Sequence, residues 1–455
     1  MVAGRIIALL IFLGMFILII LGKIDKHKIT LGAAALVLVV VFGICLHSWT
    51  DIWNALALKS MFKTSFWYGE AKEDSFGINW ATILFIFGVS VMVDGLSRAG
   101  FFKWLTLSLA KAVKYKVIPL FIIFMLISGI LSMFIGSITV IMFLAAVTIE
   151  LSRTLKFDPI PMILAEIFCS NLGGAATMAG DPPNIIIGTS IGATFFDFMT
   201  NTGLIVGISF IIIMIFFLLM FRKDFKKSEK ARPENVVFPS PAEAITNKAA
   251  FIVGALIFVL TVVLLMTHAK TGLTVTTIGI IAALLTVIGT AATSGIKQGL
   301  SLVKHVDYKT LGFFIGLFIV VSGLEGTGCL DYVAKFITTV SGGNPYIVVA
   351  IILWVAAIFS AFVDNIPFAA TMVPVIESMA VTTGIPLTTL AWTLSLGTDI
   401  GGNATPIGAS ANVVGISISS RNGYTINWGK YCKYNAPATI IVILTCMLCV
   451  YVKYL

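Results

Sequence analysis

Residues 170–184 read SNLGGAATMAGDPPN, and residues 398–412 read TDIGGNATPIGASAN. The two stretches align without a gap at a displacement of 228 positions, and the same displacement pairs Gly88 with Gly316, Gly95 with Gly323, Gly100 with Gly328, Ser132 with Ser360, Phe134 with Phe362 and Ile138 with Ile366. A unit of about a hundred residues therefore occurs twice. Its best-matched parts are polar, glycine-rich segments set within apolar sequence. In a membrane chain, paired hydrophobic segments broken by Gly and Pro at corresponding positions of two halves mark the binding site of a secondary transporter.

Composition places the chain in a membrane. With 455 residues, 58% of them apolar and 11% charged, and a mean hydropathy of +1.04, the chain cannot present an ordinary soluble surface, and many of its apolar runs are of spanning length. The expectation is an all-α polytopic membrane protein. The net charge of +9 does not indicate nucleic acid as a partner: the Lys and Arg stand in short clusters between apolar runs, with no basic stripe or aromatic platform. The six cysteines, Cys45, Cys169, Cys329, Cys432, Cys446 and Cys449, form no metal-binding pattern and read as small buried hydrophobes. The run at 2–22 is too long for a signal-peptide core and lacks a small-residue cleavage site, so it reads as a span. The bilayer is the expected partner, with the cell membrane, specifically a bacterial cytoplasmic membrane, as the expected location.

Simple spans fall near 3–22, 29–47, 79–97, 201–221, 247–267, 271–294, 309–325 and 436–454. Residues 117–153 and 345–377 are too long for one crossing and carry interruptions at Gly136-Ser137 and Asp364-Asn365-Ile366-Pro367, so each reads as a re-entrant hairpin. Residues 159–195 and 386–418 contain the repeated Gly-Gly motifs and read as helices broken in mid-membrane, which is tolerated only where the unwound backbone is buried in protein. The expectation is about ten spanning helices plus two re-entrant hairpins and two broken helices. The chain divides into N-terminal spans with an outer interfacial loop (1–78, the loop at 48–78), repeat 1 (79–221), a solvated cytoplasmic linker (222–246), connecting spans (247–308) and repeat 2 (309–455). Segments 101–114 and 329–340 read as short interfacial helices preceding the hairpins.

Positive charges orient the chain. Lys23, Lys26 and Lys28 outnumber Arg5 and put the first loop inside; from there Arg98 to Lys116, Arg153 with Lys156, the RKDFKKSEKAR run at 222–232, Lys297 to Lys309, and Arg421 to Lys433 all fall on the same side. The repeats then run in opposite directions, as inverted-topology repeats do.

A helix broken in mid-membrane exposes N–H groups that favour anions on one half and C=O groups that favour cations on the other. The breaks supply Asn171, Gly173, Gly174, Thr177, Asp181 and Asn184 from repeat 1, and Asp399, Gly401, Gly402, Asn403, Thr405, Ser410 and Asn412 from repeat 2. Glycine lets the backbone approach a ligand, while Asn and Thr add neutral donors and acceptors; the Gly-Gly pairs also suit close helix packing. Asp364 and Asn365 stand at the second hairpin tip. Carboxylates inside a bilayer are costly and count as functional candidates, so Asp364 and Asp399 are assigned to coupling and Asp181 to the site, with capping by Asp181 as its other reading. Glu166 and Asp94 also lie within spans, whereas Glu150 and Glu377 lie near hairpin ends and read as solvated. No Lys or Arg lies within these motifs, so an anion would rest on helix dipoles and neutral groups. No nucleotide-binding, protease-type metal or nucleophile motif occurs in a usable context, so an enzyme is not expected.

With these residues in view, GGAATMAGDPPNIIIG at 173–188, FVDNIPFAATMVP at 362–374 and GGNATPIGASANVVG at 401–415 resemble the ion transporter superfamily. The similarity is to the branch with citrate-transporter-like domains that holds the arsenite permeases, the NhaD-type sodium/proton antiporters and the melanosomal P-protein. It spans about 80–435. The resemblance implies a homodimer in which each protomer has a scaffold and a mobile domain of two hairpins and two broken helices, working as an elevator. P-protein-like chains carry an Asp-Asn pair at the first hairpin tip as well; here Gly136 and Ser137 stand there, and Ser137 and Thr139 are left to supply oxygens. The expected function is a secondary active transporter of a small inorganic or carboxylate anion of the arsenite, oxyanion or dicarboxylate class. Its coupling ion is sodium or a proton, with no cofactor and no metal beyond sodium. The alternatives are a sodium/proton antiporter and, of another class, a passive ion channel.

Overall fold

The structure, a computed structural model, describes residues 2–69, 76–230 and 238–455. The first half opens with α1 (Val2–Leu21) and α2 (Lys26–Leu36), which passes into a π-helical stretch over Val37–Cys45. The short helices α3 (Trp49–Leu56) and α4 (Thr64–Trp67) follow, then α5 (Trp80–Arg98), α6 (Phe101–Ala112), the antiparallel pair α7 (Val117–Ile135) and α8 (Ser137–Leu155), the two pieces α9 (Ile160–Gly174) and α10 (Pro182–Ile191), α11 (Phe195–Met220) and α12 (Arg222–Lys230). The second half runs α13 (Lys248–Thr271), α14 (Val275–Ser294), α15 (Ile296–Lys304), α16 (Tyr308–Gly326), α17 (Cys329–Ser341), α18 (Pro345–Phe362), α19 (Asn365–Thr383), α20 (Leu387–Gly401), α21 (Ser410–Arg421) and α22 (Trp428–Tyr454). No strand occurs among the described residues, and twelve of their helical stretches are long and apolar enough to cross a membrane.

The helix boundaries repeat with the sequence. Shifting α5 and α8 by 228 positions lands on the bounds of α16 and α19, and α7, α9 and α10 match α18, α20 and α21 to within two residues. The stop signals repeat too: Asn79 caps α5 through Thr82 N and Asp307 caps α16 through Lys309 N and Thr310 N, while Lys156 and Gly384, both at positive φ, end α8 and α19. Each half contributes an odd number of crossings (α1, α2, α5, α9–α10 and α11; α13, α14, α16, α20–α21 and α22), because a hairpin returns to its own side. The second half consequently starts from the opposite face, and the repeats are inverted.

The halves interlock. α5 packs on α14, so closely that a Cβ added to Gly88 would lie 2.1 Å from the Gly279 carbonyl oxygen. α16 packs on α2 in the same way, with a Cβ on Gly316 meeting the Thr30 carbonyl carbon at 2.5 Å. These six helices (α1, α2, α5, α13, α14, α16) make one layer, and the hairpins and broken helices make the other. The outer faces of α1 and α13 expose Leu10, Leu13, Ile17, Leu256, Val259 and Val263, as lipid-facing helices do.

Local capping and packing move several boundaries from those read in the sequence. The span placed at 201–221 begins at Phe195, because Thr194 and Asp197 form a capping box. The span placed at 436–454 begins at Trp428, behind an Asn427 cap. The linker at 222–246, read as a loop, starts as helix α12: good helix formers continue past α11, and Phe225 packs on Phe121 with ring centroids 4.4 Å apart. Residues 231–237 of that linker and 70–75 of the loop at 48–78 lie outside the described residues. What is described of that loop holds two short helices rather than irregular chain, and Gly69 N donates to Gly272 O at 2.7 Å.

Candidate substrate site

A cavity of about 490 Å³ lies between the two layers. Its wall brings together Gly136, Ser137 and Thr139 from the first hairpin tip, Gly180, Asp181 and Pro182 from the first break, Asp364 and Ile366 from the second tip, and Ser410 from the second break. α5 and α16 close the other side through Phe85, Val89, Phe313 and Phe314, and the loops at 25–27 and 306–311 form the mouth. The charge count of the sequence leads to the expectation that these loops, and with them the mouth of the cavity, face the cytoplasm.

Both hairpin tips are tied to the break of their own repeat by a hydroxyl on a carboxylate, with the roles exchanged. In repeat 1, Ser137 on the tip donates to Asp181 Oδ1 at 2.9 Å; in repeat 2, Ser410 on the break donates to Asp364 Oδ2 at 3.4 Å. Asp181 stands at the N-cap position of α10 but caps nothing with its side chain. The backbone of the tips differs. Gly136 turns at φ +74, a conformation natural to glycine, whereas Asp364 holds φ −49 behind an extended Val363. An aspartate at 136 would therefore be strained and would aim elsewhere than Asp364 does.

The remaining site residues from the sequence form a dry layer behind the cavity. Asn184 Nδ2 donates to Gly174 O and Thr177 O, and Asn412 Nδ2 donates to Gly402 O and Thr405 O, at 2.7–3.1 Å. Each asparagine thereby binds the unwound backbone of its own break. Thr177 and Thr405 donate to Met133 O and Ala361 O on the hairpins, again as repeat mates. Gly173 and Gly401 serve packing: a Cβ would lie 2.2 Å from Gly129 O and 2.3 Å from Ala357 Cα. Gly174 lies against the Asp181 carboxylate and Gly402 against the Gly408 carbonyl, and neither lines the cavity. Asn365 is buried at the start of α19.

Asn171 and Asp399 are repeat mates in the last turns of α9 and α20. Asn171 Nδ2 donates to Asn403 Oδ1 at 2.9 Å and to Asn412 Oδ1 at 2.8 Å. Asp399 is fully buried with no hydrogen-bond partner on either oxygen, and the amides of Asn184 and Asn365 flank it. A carboxylate buried at the carbonyl end of a helix is in a field that favours a cation or a proton. Glu166 is also fully buried, bonded to Thr148 Oγ1 at 2.5 Å, and lies away from the cavity wall. Asp94 pairs with Arg98 at 2.6 Å and Glu150 with Lys103 at 3.0 Å.

Charges outside the motifs also reach the site. Lys26 Nζ stands 3.1 Å from Asp364 Oδ2, and Asp25, His27, Asp307, Lys309 and Thr310 share the mouth. Lys28, bonded to Asp25 at 3.4 Å, and Lys309 at 3.9 Å hold the Asp25 carboxyl below the usual carboxylate range. In the sequence Lys26, Lys28 and Lys309 served only as topology markers, and Asp25, His27, Asp307 and Thr310 gave no signal. Position 254, one repeat on from Lys26, is a glycine, so the repeat gave no signal for it.

Residues 16–397 match the family described as citrate transporter. The chain belongs to the citrate transporter family. It is a multi-pass membrane protein of the cell membrane and a transporter of that family. The uncharacterized transporter Rv2684 of Mycobacterium tuberculosis is 31% identical over 454 residues, covering 99% of this chain and 98% of that protein. The human P protein is 26% identical over 439 residues, and the match covers 80% of this chain and 52% of the P protein, about half its length. Among solved structures, the Alcanivorax borkumensis YdaH transporter has a TM-score of 0.58 at 15% identity, over 94% of this chain and 98% of that one. MtrF of Neisseria gonorrhoeae, described as illuminating a class of antimetabolite efflux pumps, has a TM-score of 0.57 at 10% identity, over 90% of this chain and 85% of that one. These two share the fold of the citrate transporter chain described here.

Proposed function

We propose that the protein is a secondary active transporter that moves a small anion, a di- or tricarboxylate or an oxyanion such as arsenite, against its gradient by coupling to sodium or protons. One observation carries this reading: the N-termini of four helices, α8, α10, α19 and α21, meet at this cavity through Ser137, Pro182, Asp364 and Ser410. Each helix start carries about half a positive charge, and α8, α19 and α21 add N–H groups of their first turns, whereas α10, which begins Pro182-Pro183, contributes its dipole without an N–H at either position. Four together, with the hydroxyl of Thr139, receive an anion without an arginine clamp, and the hydroxyls of Ser137 and Ser410 join them once Asp181 and Asp364 are neutralised. The family's name makes citrate the first substrate to try, and the cavity volume accommodates a molecule of that size.

Coupling follows from where the acids stand. Asp181 and Asp364 sit in the positive field that the substrate needs, and each repels an anion until sodium or a proton neutralises it. Asp399, at the carbonyl end of α20, is a separate place for a cation or proton, outside the cavity wall. With its acids neutralised by bound cations or protons and the substrate in place, the layer of hairpins and broken helices slides past α5 and α16 to the opposite face. An elevator of this kind, in a homodimer held by the scaffold layer, is part of the same proposal, as is the absence of a cofactor and of enzymatic chemistry.

The excess of carboxylates over basic groups at the site supports a second reading, a sodium/proton antiporter with no organic substrate. Purified protein in liposomes with an imposed sodium or proton gradient separates the readings when internal pH and uptake of citrate, sulfate and arsenite are followed in parallel. Gradient-dependent anion accumulation is the expected result. Sodium-driven pH change without uptake selects the antiporter, and flux indifferent to either gradient would mean a passive channel.

A further inference from the structure

Asp364 is already held by a cation that belongs to the protein. Lys26 is the first residue of α2, in the scaffold layer, and Asp364 is on the tip of the second hairpin, in the layer that the proposed function sets in motion. Among the described residues, no other Lys or Arg lies within ion-pair distance of Asp181, Asp364 or Asp399. The lysine side chain is half-exposed in the mouth (49%), and the aspartate is nearly closed off (9%). Asp364 Oδ2 receives both Lys26 and Ser410, while Oδ1 is buried with no partner. The carboxylate is thus half satisfied, with its open oxygen left for a further donor or ion. Lys26 is not drawn off by Asp25, its neighbour in sequence, because Asp25 is engaged by Lys28 and Lys309.

We infer that Lys26 is a tethered counter-ion that competes with sodium for Asp364, and that its release is the step that undocks the hairpin tip from the scaffold. This inference rests on the coupled-transport reading. Two monovalent positive charges cannot both sit on one small carboxylate without repelling each other, so sodium arriving at Oδ1 weakens the lysine bond. The sodium-free tip is then held to the scaffold by Lys26 more firmly than the sodium-loaded one, so the lysine sets how readily the inward-facing carrier leaves its docked state. Lys26 acts through Asp364 and is a positioning residue, not a ligand of the substrate.

The test is a sodium titration of purified full-length protein in detergent, with potassium holding ionic strength constant and thermal unfolding as the readout. It compares wild type, Lys26→Met, Lys26→Arg, Asp364→Asn and the double variant Lys26→Met/Asp364→Asn. Removing the competitor in Lys26→Met should lower the half-saturating sodium concentration by about twofold to fivefold, the range for losing one partly exposed ion pair. Lys26→Arg should stay near wild type, and in the Asp364→Asn background Lys26→Met should no longer move the half-saturation point, whatever sodium Asp399 still binds. A lysine serving only to hold the loop would offset every unfolding temperature but leave the half-saturation point unmoved, and that result overturns the inference while leaving coupled transport intact. A wild type that shows no response to sodium removes sodium from Asp364 altogether, and this inference falls with it.

Discussion

Asn171 donates its amide to the Oδ1 of Asn412 at 2.8 Å, joining the break of one repeat to the break of the other across 241 positions of sequence. The reciprocal contact is made by Ser395, which donates to Asn184 Oδ1 at 2.6 Å. Both asparagines thus spend their nitrogen on the carbonyls of their own break and their oxygen on the opposite half. They hold the two interrupted crossings together as one unit.

Asn184→Ala and Asn412→Ala should therefore act on stability first. Each strips two buried carbonyls of their donor, at a cost of about 1–3 kcal/mol per abandoned group. The unfolding temperature in detergent should fall by several degrees in both variants and by a similar amount, because the two sites are repeat mates. A normal unfolding temperature with lost transport would instead make these amides substrate ligands.

The paired glycines separate by size. Gly173→Ala and Gly401→Ala place a methyl group 2.2 Å and 2.3 Å from hairpin backbone atoms and should give no folded protein on size-exclusion chromatography. Gly402→Ala, whose nearest neighbour lies at 3.1 Å, should be recovered folded. Folded Gly173→Ala and Gly401→Ala would mean that the hairpins pack more loosely on α9 and α20 than described.

Asp364→Asn and Asp399→Asn should abolish gradient-driven uptake while leaving the unfolding profile near wild type, since an amide replaces a carboxylate of the same shape. Glu377→Gln, remote from the cavity wall, should transport normally. Full coupled transport in both aspartate variants would remove them from the coupling site.

Gly136→Asp should not create a second ion site. The backbone there is at φ +74, against −49 at Asp364, and a side chain in that region costs about 1–2 kcal/mol. The variant should show a lower unfolding temperature and an unchanged sodium response. A doubled sodium stoichiometry would show that the tip re-forms around the new acid.

The fold was legible because the repeat fixes register. Once residues 170–184 are laid on 398–412, each interruption in one half locates its counterpart, and helix ends such as Lys156 and Gly384 fall into place. Boundaries set by caps that have no matching repeat mate, such as Thr194 with Asp197 against Asn422 and Thr425, were not. At the site, the sequence located the hairpin tips and breaks but not the division of labour within them. Spacing does not distinguish an asparagine that faces a cavity from one that braces a carbonyl, and Asn184 and Asn412 do the second. Lys26 stayed hidden because its charge sits in a loop, where the orientation of the chain already accounts for a lysine.

The exchange of partners between halves, α5 on α14 and α16 on α2, bears on how the chain is made. α5 leaves the ribosome long before α14 exists, so its small-residue face at Gly88 must wait in lipid, uncovered, until most of the second half has been inserted. A chain cut between α12 and α13 and expressed as two pieces would give fragments that each lack the surface on which their own central helix rests. Neither half is a finished ancestor of the other's fold; the smallest stable unit is the pair.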